Sequence, residues 1–115
     1  MVPSDVVVFF RNDDVRNVLD ESLISLTSLC IRHRVPVSHA VEPGNVTNEV
    51  AEWLIAEKKK YPELIEIIQH GFNHNLLNPS QKMEFGGTRS FEDQYNDLKK
   101  GKAINFGIII FFVFS

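Results

Sequence analysis

"VVVFFRNDDVRNVLD", Val6 to Asp20, decides how this chain is read. Large apolar residues are followed, after Arg11 and Asn12, by two adjacent acids, Asp13 and Asp14, and a helical pattern opens at Asp20. An unbroken β-branched and aromatic run marks a buried strand, expected over Asp5–Phe10, with the acids just past its carboxyl end. Adjacent carboxylates repel each other, and a strand end is a costly place to desolvate them. Such a pair calls for a nearby cation.

Outward from this stretch, strands and helices alternate. Beyond Asp20, Leu23, Leu26 and Cys30 share one helix face with Ile24 and Ile31 beside it. Arg32, His33 and Arg34 complement the helix end, and Pro36 stops it. Val35–Val41 forms a second short strand, closed by "EPGN". Thr47 to Lys60 carries a second helix, with Val50, Trp53, Leu54 and Glu57 at turn spacing. Pro62 ends it, and Leu64–Gln69 is a third strand. His70 to Ser90 is polar and contains glycine, as loops do. Ser90 at the N-cap, Asp93 at N3 and Gly101 past the end frame a third helix. Ile108–Phe114, "IIIFFVF", is expected as a fourth strand.

The order β-α-β-α-β-α-β predicts an α/β fold with parallel pairing through right-handed crossovers. Ligands in such sheets gather at the carboxyl ends of the strands. Asp13 and Asp14 after the first strand, and His70 after the third, are therefore expected on one rim.

The 115 residues suit a single domain. Twelve basic and fifteen acidic residues give a net charge of −3, which leaves no electrostatic footprint for nucleic acid. Lys58-Lys59-Lys60 sits where it complements a helix dipole. Cys30 is the one cysteine, so no internal disulfide forms, and its apolar neighbours suggest a buried, inert thiol. The first residues lack the layout of a signal peptide, and no apolar run approaches the ~18 residues of a membrane span. A cytoplasmic protein without membrane partners is expected. No G-x-G-x-x-G or P-loop follows a strand, which disfavours nucleotide binding.

His70 and His74, four apart in "QHGFNHNLL", would lie on one side of a helical turn. Two histidines and one carboxylate with open positions suit zinc or another divalent transition metal in a catalytic site. Of the two aspartates, one would ligate and the other remain as a base. The bland alternative is that "DD" caps a helix and the histidines pack. With four histidines in the chain, the His-x-x-x-His spacing alone is weak. The shared rim is what lends it weight.

"FFRNDDV" and "HGFNH" resemble the first two motifs of the polysaccharide deacetylase (NodB-homology) superfamily, in a branch with an Arg-x-Asp-Asp first motif. "EFGGTRSFEDQ", Glu84 to Gln94, resembles the segment that follows the second motif. The resemblance covers most of residues 6 to 101. It implies the N-terminal half of a distorted (β/α) barrel, a truncated deacetylase-like domain over 1–115. Asp13 would be the general base, and Asp14, His70 and His74 the ligands of a divalent metal, foremost zinc. The implied reaction is hydrolysis of an N-acetyl group on an acetylated sugar.

The departures are specific. The familiar first motif is Thr-Phe-Asp-Asp-Gly, whereas here Arg11-Asn12 precede the acids and Val15 follows. The family's later Arg-Pro, Asp-Trp and Leu-x-His segments, the last supplying the general acid, are not found in these 115 residues. A complete barrel takes about 250 residues. His39 is the internal candidate for the proton donor, against its reading as a hydrogen-bonded core residue; His33 suits a solvated helix end. Two other readings stand beside the hydrolase: a non-catalytic metal- or sugar-binding remnant, and a plain α/β interaction domain. An apolar fourth strand with an open edge would also favour homo-oligomers through that strand.

Overall fold

The computed structural model describes residues 6–73, 84–86 and 89–114, with side chains in the last helix up to residue 104. The chain forms β1 (Phe10–Val15), α1 (Glu21–Arg32), β2 (Val37–Val41), α2 (Asn48–Lys60), β3 (Ile65–Gln69) and α3 (Phe91–Phe114). The strands make an open parallel sheet in the order β1-β2-β3. This is the alternating α/β arrangement expected from the sequence.

The two crossover helices begin as their caps dictate. Asp20 accepts the Leu23 amide at 2.8 Å, and Thr47 accepts the amide of Val50. Both helices pack on one face of the sheet. Val15, Leu23, Val41, Val50 and Leu54 form one buried cluster, while Cys30, Val37 and Ile65 form another. Burial of each such large side chain contributes about 1.5–3 kcal/mol. Val37, His39 and Val41 point into this layer, so β2 holds the two helices to the sheet. Burial raises the Cys30 thiol above its ordinary pKa, consistent with an inert packed side chain. Arg11, Ser38 and Glu66, adjacent in register, lie on the opposite face, where Ser38 donates to Glu66.

Two expected strands are displaced. The first is not Asp5–Phe10: it begins at Phe10 and runs through both acids to Val15. Val7 is 88% exposed and Phe9 61%, so the apolar run is not a buried strand. The ladder is limited by its partner. Before Val37 stand Pro36, which has no N–H to donate, and Arg34, whose φ of 54° is left-handed. Pairing therefore starts at Phe10↔Val37, with one further bond from the Phe10 amide to the Pro36 carbonyl.

The second correction is the tail. Ile108–Phe114 is not a fourth strand but the end of α3, which runs unbroken from Phe91. An apolar run without periodicity fits helix or strand equally, and here it extends a helix already nucleated. The start is capped as expected, the Asp93 amide donating to Ser90 Oγ at 3.1 Å. Gly101 is not a terminator. It lies where α3 crosses β3, and a Cβ there would come within 2.9 Å of Gln69 Cδ and 3.1 Å of Pro43 Cγ. The open strand edge on which pairing with a second copy was expected is thus absent at this position. Among the described residues, no helix is long and apolar enough to cross a membrane.

Candidate metal centre

The acid pair sits on a β-bulge. Asn12 pairs with His39 and Val15 with Val41, so β1 carries one residue more than β2 across the same interval. Asp14 takes up the slack with φ 62°, a left-handed conformation that few residues other than Asn, Asp and Gly adopt readily. In a regular strand the two carboxylates would point to opposite faces. The bulge re-aims them, as bulges beside functional sites do. Parallel bonds then carry the rim onward: the Glu42 amide donates to Val15 O, and the His70 amide to Val41 O, both at 2.8 Å.

These placements bring Asp14 and His70 together. Asp14 Oδ1 lies 3.1 Å from His70 Nε2. Two ligands on a tetrahedral zinc, each bonded at about 2.0–2.1 Å, have donor atoms about 3.3 Å apart. The pair therefore fits adjacent corners of such a site. Asp13 stands beside it, its Oδ1 accepting from Arg11 Nε at 2.6 Å. The other arm of Arg11 reaches His70 Nδ1 at 3.4 Å. His74, the third expected ligand, lies outside the described residues. Among the described residues, no group of three or more His, Cys, Asp or Glu side chains gathers in a metal-binding arrangement.

No family model, curated protein or solved structure matches this chain. The chemistry of the rim therefore has to be read from its own residues.

The acids open into a cleft of about 540 Å³ between β1 and the start of α1. Its lining mixes polar side chains, among them Asp13, Asp14, Arg16 and Asn17, with apolar ones such as Leu23 and Leu26. Arg16 contributes a feature that the sequence did not signal. Its Nε is 2.6 Å from Glu42 Oε2, and its NH2 is 3.5 Å from Asp14 Oδ1. Glu42 is fully buried at the end of β2, and its Oε1 accepts from Asn45 Nδ2 at 3.0 Å. Oε2 has no aligned hydrogen-bond donor among the described residues, so its charge is met by the Arg16 guanidinium alone. A Glu before Pro-Gly looks like any surface turn residue; only the tertiary fold buries it.

His39 is in the core and away from the cleft. Thr27 donates its hydroxyl to Leu23 O at 2.8 Å, so its contact with His39 Nε2 at 3.0 Å must be accepted from the ring. Nδ1 accordingly accepts from Asn12 Nδ2 at 3.2 Å. One neutral tautomer satisfies every contact. Desolvation by burial lowers its pKa to about 4, and Trp53 packs beside the ring. His39 is a hydrogen-bonded core residue.

Proposed function

We propose that the rim site is the metal centre of an amide hydrolase that removes N-acetyl groups from a carbohydrate. On this reading the sheet is part of a distorted (β/α) barrel of the polysaccharide deacetylase kind. The observation that carries it is the 3.1 Å approach of Asp14 and His70 from the first and third strands, beside a bulge that brings Asp13 to the same cleft. Asp14, His70 and His74 would hold the ion. A bound divalent cation such as zinc supplies Lewis acidity and a water of lowered pKa.

Asp13 then acts as the base. Arg11 holds its Oδ1, which leaves Oδ2 to take a proton as water adds to the acyl carbon. The C–N bond breaks, giving acetate and a free amine that must itself gain a proton. A cleft lined by both polar and apolar side chains suits a sugar, whose hydroxyls lie at the ring edge and whose C–H groups cover its faces.

A second reading, a metal- or sugar-binding module without turnover, draws support from His39. A neutral, buried ring tied to Thr27 and Asn12 cannot protonate a leaving amine in the cleft. Acetate release from N-acetylglucosamine oligomers, measured with the zinc-loaded protein, separates the two. The hydrolase is expected to release acetate, and Asp13→Asn to bind zinc equally well but release none. Oligomer binding without acetate release would establish the binding module; an Asp13→Asn variant as active as the wild type would remove Asp13 from the mechanism.

A further inference from the structure

The turn after His70 is held more tightly than a surface loop requires. All four backbone polar groups of Phe72 and Asn73 are engaged from outside the turn. Phe72 O accepts from the Gly44 amide at 2.7 Å, and Asn73 O accepts from Asn45 Nδ2 at 2.7 Å. The two amides both go to one carboxylate, that of Glu84. Phe72 N donates to Oε1 and Oε2 at 3.0 Å each, and Asn73 N to Oε2 at 2.9 Å.

Glu84 is itself buried, at 7% exposure, and anchored from behind. Arg89 NH1 donates to its carbonyl at 3.1 Å, and Arg89 NH2 pairs with Asp97 of α3 at 2.6 Å. Gly71 shows how closely the carboxylate fits. Its φ is +58°, and a Cβ there would be pressed into Glu84 Oε1 and lie 3.2 Å from Cδ. Burying a carboxylate is costly unless it is hydrogen-bonded. This one is placed so that its bonds fix the turn that directly follows the candidate ligand His70.

We propose that Glu84 is a positioning residue for the metal centre: its carboxylate fixes the turn that follows His70 and so the orientation of that ligand. The proposal rests on the metal-centre reading above. Glu84 does not touch the ion. It acts through the Phe72 and Asn73 amides, steadying the chain beside His70 as outer partners orient ligands in other metal sites. Glu84→Gln retains the shape but replaces one acceptor by an NH2 group that opposes the amide donors.

The test is zinc affinity by competition with a chromogenic chelator, together with the visible spectrum of the cobalt-substituted protein. Glu84→Gln is expected to bind zinc about 10–100-fold more weakly, with a changed cobalt spectrum. Asp97→Asn is the control: it loosens the Arg89 anchor without touching the turn amides. It is expected to lower thermal stability while leaving zinc affinity within about threefold of wild type, since no ligand or turn amide is lost. Wild-type affinity and spectrum in Glu84→Gln would overturn the proposal alone. Zinc losses that track thermal stability in both variants would overturn it too, by showing a general folding effect. A wild type that binds no zinc would remove the metal centre and the proposal together.

Discussion

Replacing Arg16 with methionine isolates the buried carboxylate of Glu42. Glu42 is fully buried, and the guanidinium 2.6 Å from its Oε2 is, among the described residues, the one charge that meets it there. Removing one partner of a buried ion pair costs about 3–5 kcal/mol, because the other charge is left uncompensated. Here the Arg16 side chain is 44% exposed, so water can follow it into the vacated space, and the cost falls below that range. We expect Arg16→Met to lose about 2–3 kcal/mol. Glu42→Gln leaves Arg16 free to reach solvent and keeps the Asn45 contact, so about 1 kcal/mol is expected. Removing both charges should recover at least ~1 kcal/mol relative to Arg16→Met alone. Urea unfolding reads these values: with a slope of about 1.5 kcal/mol per molar, Arg16→Met moves the midpoint by about 1.5–2 M. A shift corresponding to under ~0.5 kcal/mol, the range of ordinary surface changes, would refute the reasoning. So would a double variant no more stable than Arg16→Met.

Other outcomes follow from the same contacts. His39 has its pKa lowered to about 4 from an ordinary 6.5, so between these values the unfolded chain binds more protons. Stability should therefore be complete above about pH 6.5 and fall toward pH 4, by up to about 3 kcal/mol. Unfolding curves of His39→Gln should lack this slope in that window. Gly101→Ala, which would gain about 1 kcal/mol in an exposed helix, should destabilise here. Its methyl displaces the Gln69 amide from Gly71 O and Leu98 O, which calorimetric melting would detect as a lowered Tm. Asp14→Gly relieves the left-handed φ of 62° but deletes a ligand. Its Tm should be no lower than that of Asp14→Ala, while zinc affinity falls equally in both.

Much of the scaffold was legible because local chemistry decides it. Asp20 and Thr47 are capping residues, and they cap; β2 and β3 are short apolar runs bounded by proline and polar turns. The shared rim followed from strand alternation alone, and Asp14 and His70 do meet there. What failed was set by partners remote in sequence. The position of β1 depends on where β2 can accept it, which Pro36 and Arg34 determine. Asp5–Phe10 therefore reads as the strand, although the strand is Phe10–Val15 and contains the acids. The bulge has no local signature, since it is the mismatch of two strand lengths. Ile108–Phe114 has no period to separate helix from strand, and Gly101 resembles a helix stop until Gln69 is seen packed against it. Glu42 and Glu84 are acidic residues in turn-like sequence, and burial by other segments gives them their roles.

The central claim is that Asp14 and His70 hold a divalent ion, and zinc titration calorimetry on the metal-free protein addresses it without any assumption about substrate. The expected result is about one zinc per chain for the wild type, with binding strongly weakened in Asp14→Ala and abolished in His70→Ala/His74→Ala, both variants remaining folded by circular dichroism. A wild type that binds no more zinc than the double-histidine variant would contradict it, and the contact between Asp14 and His70 would then be only a structural pairing across the rim.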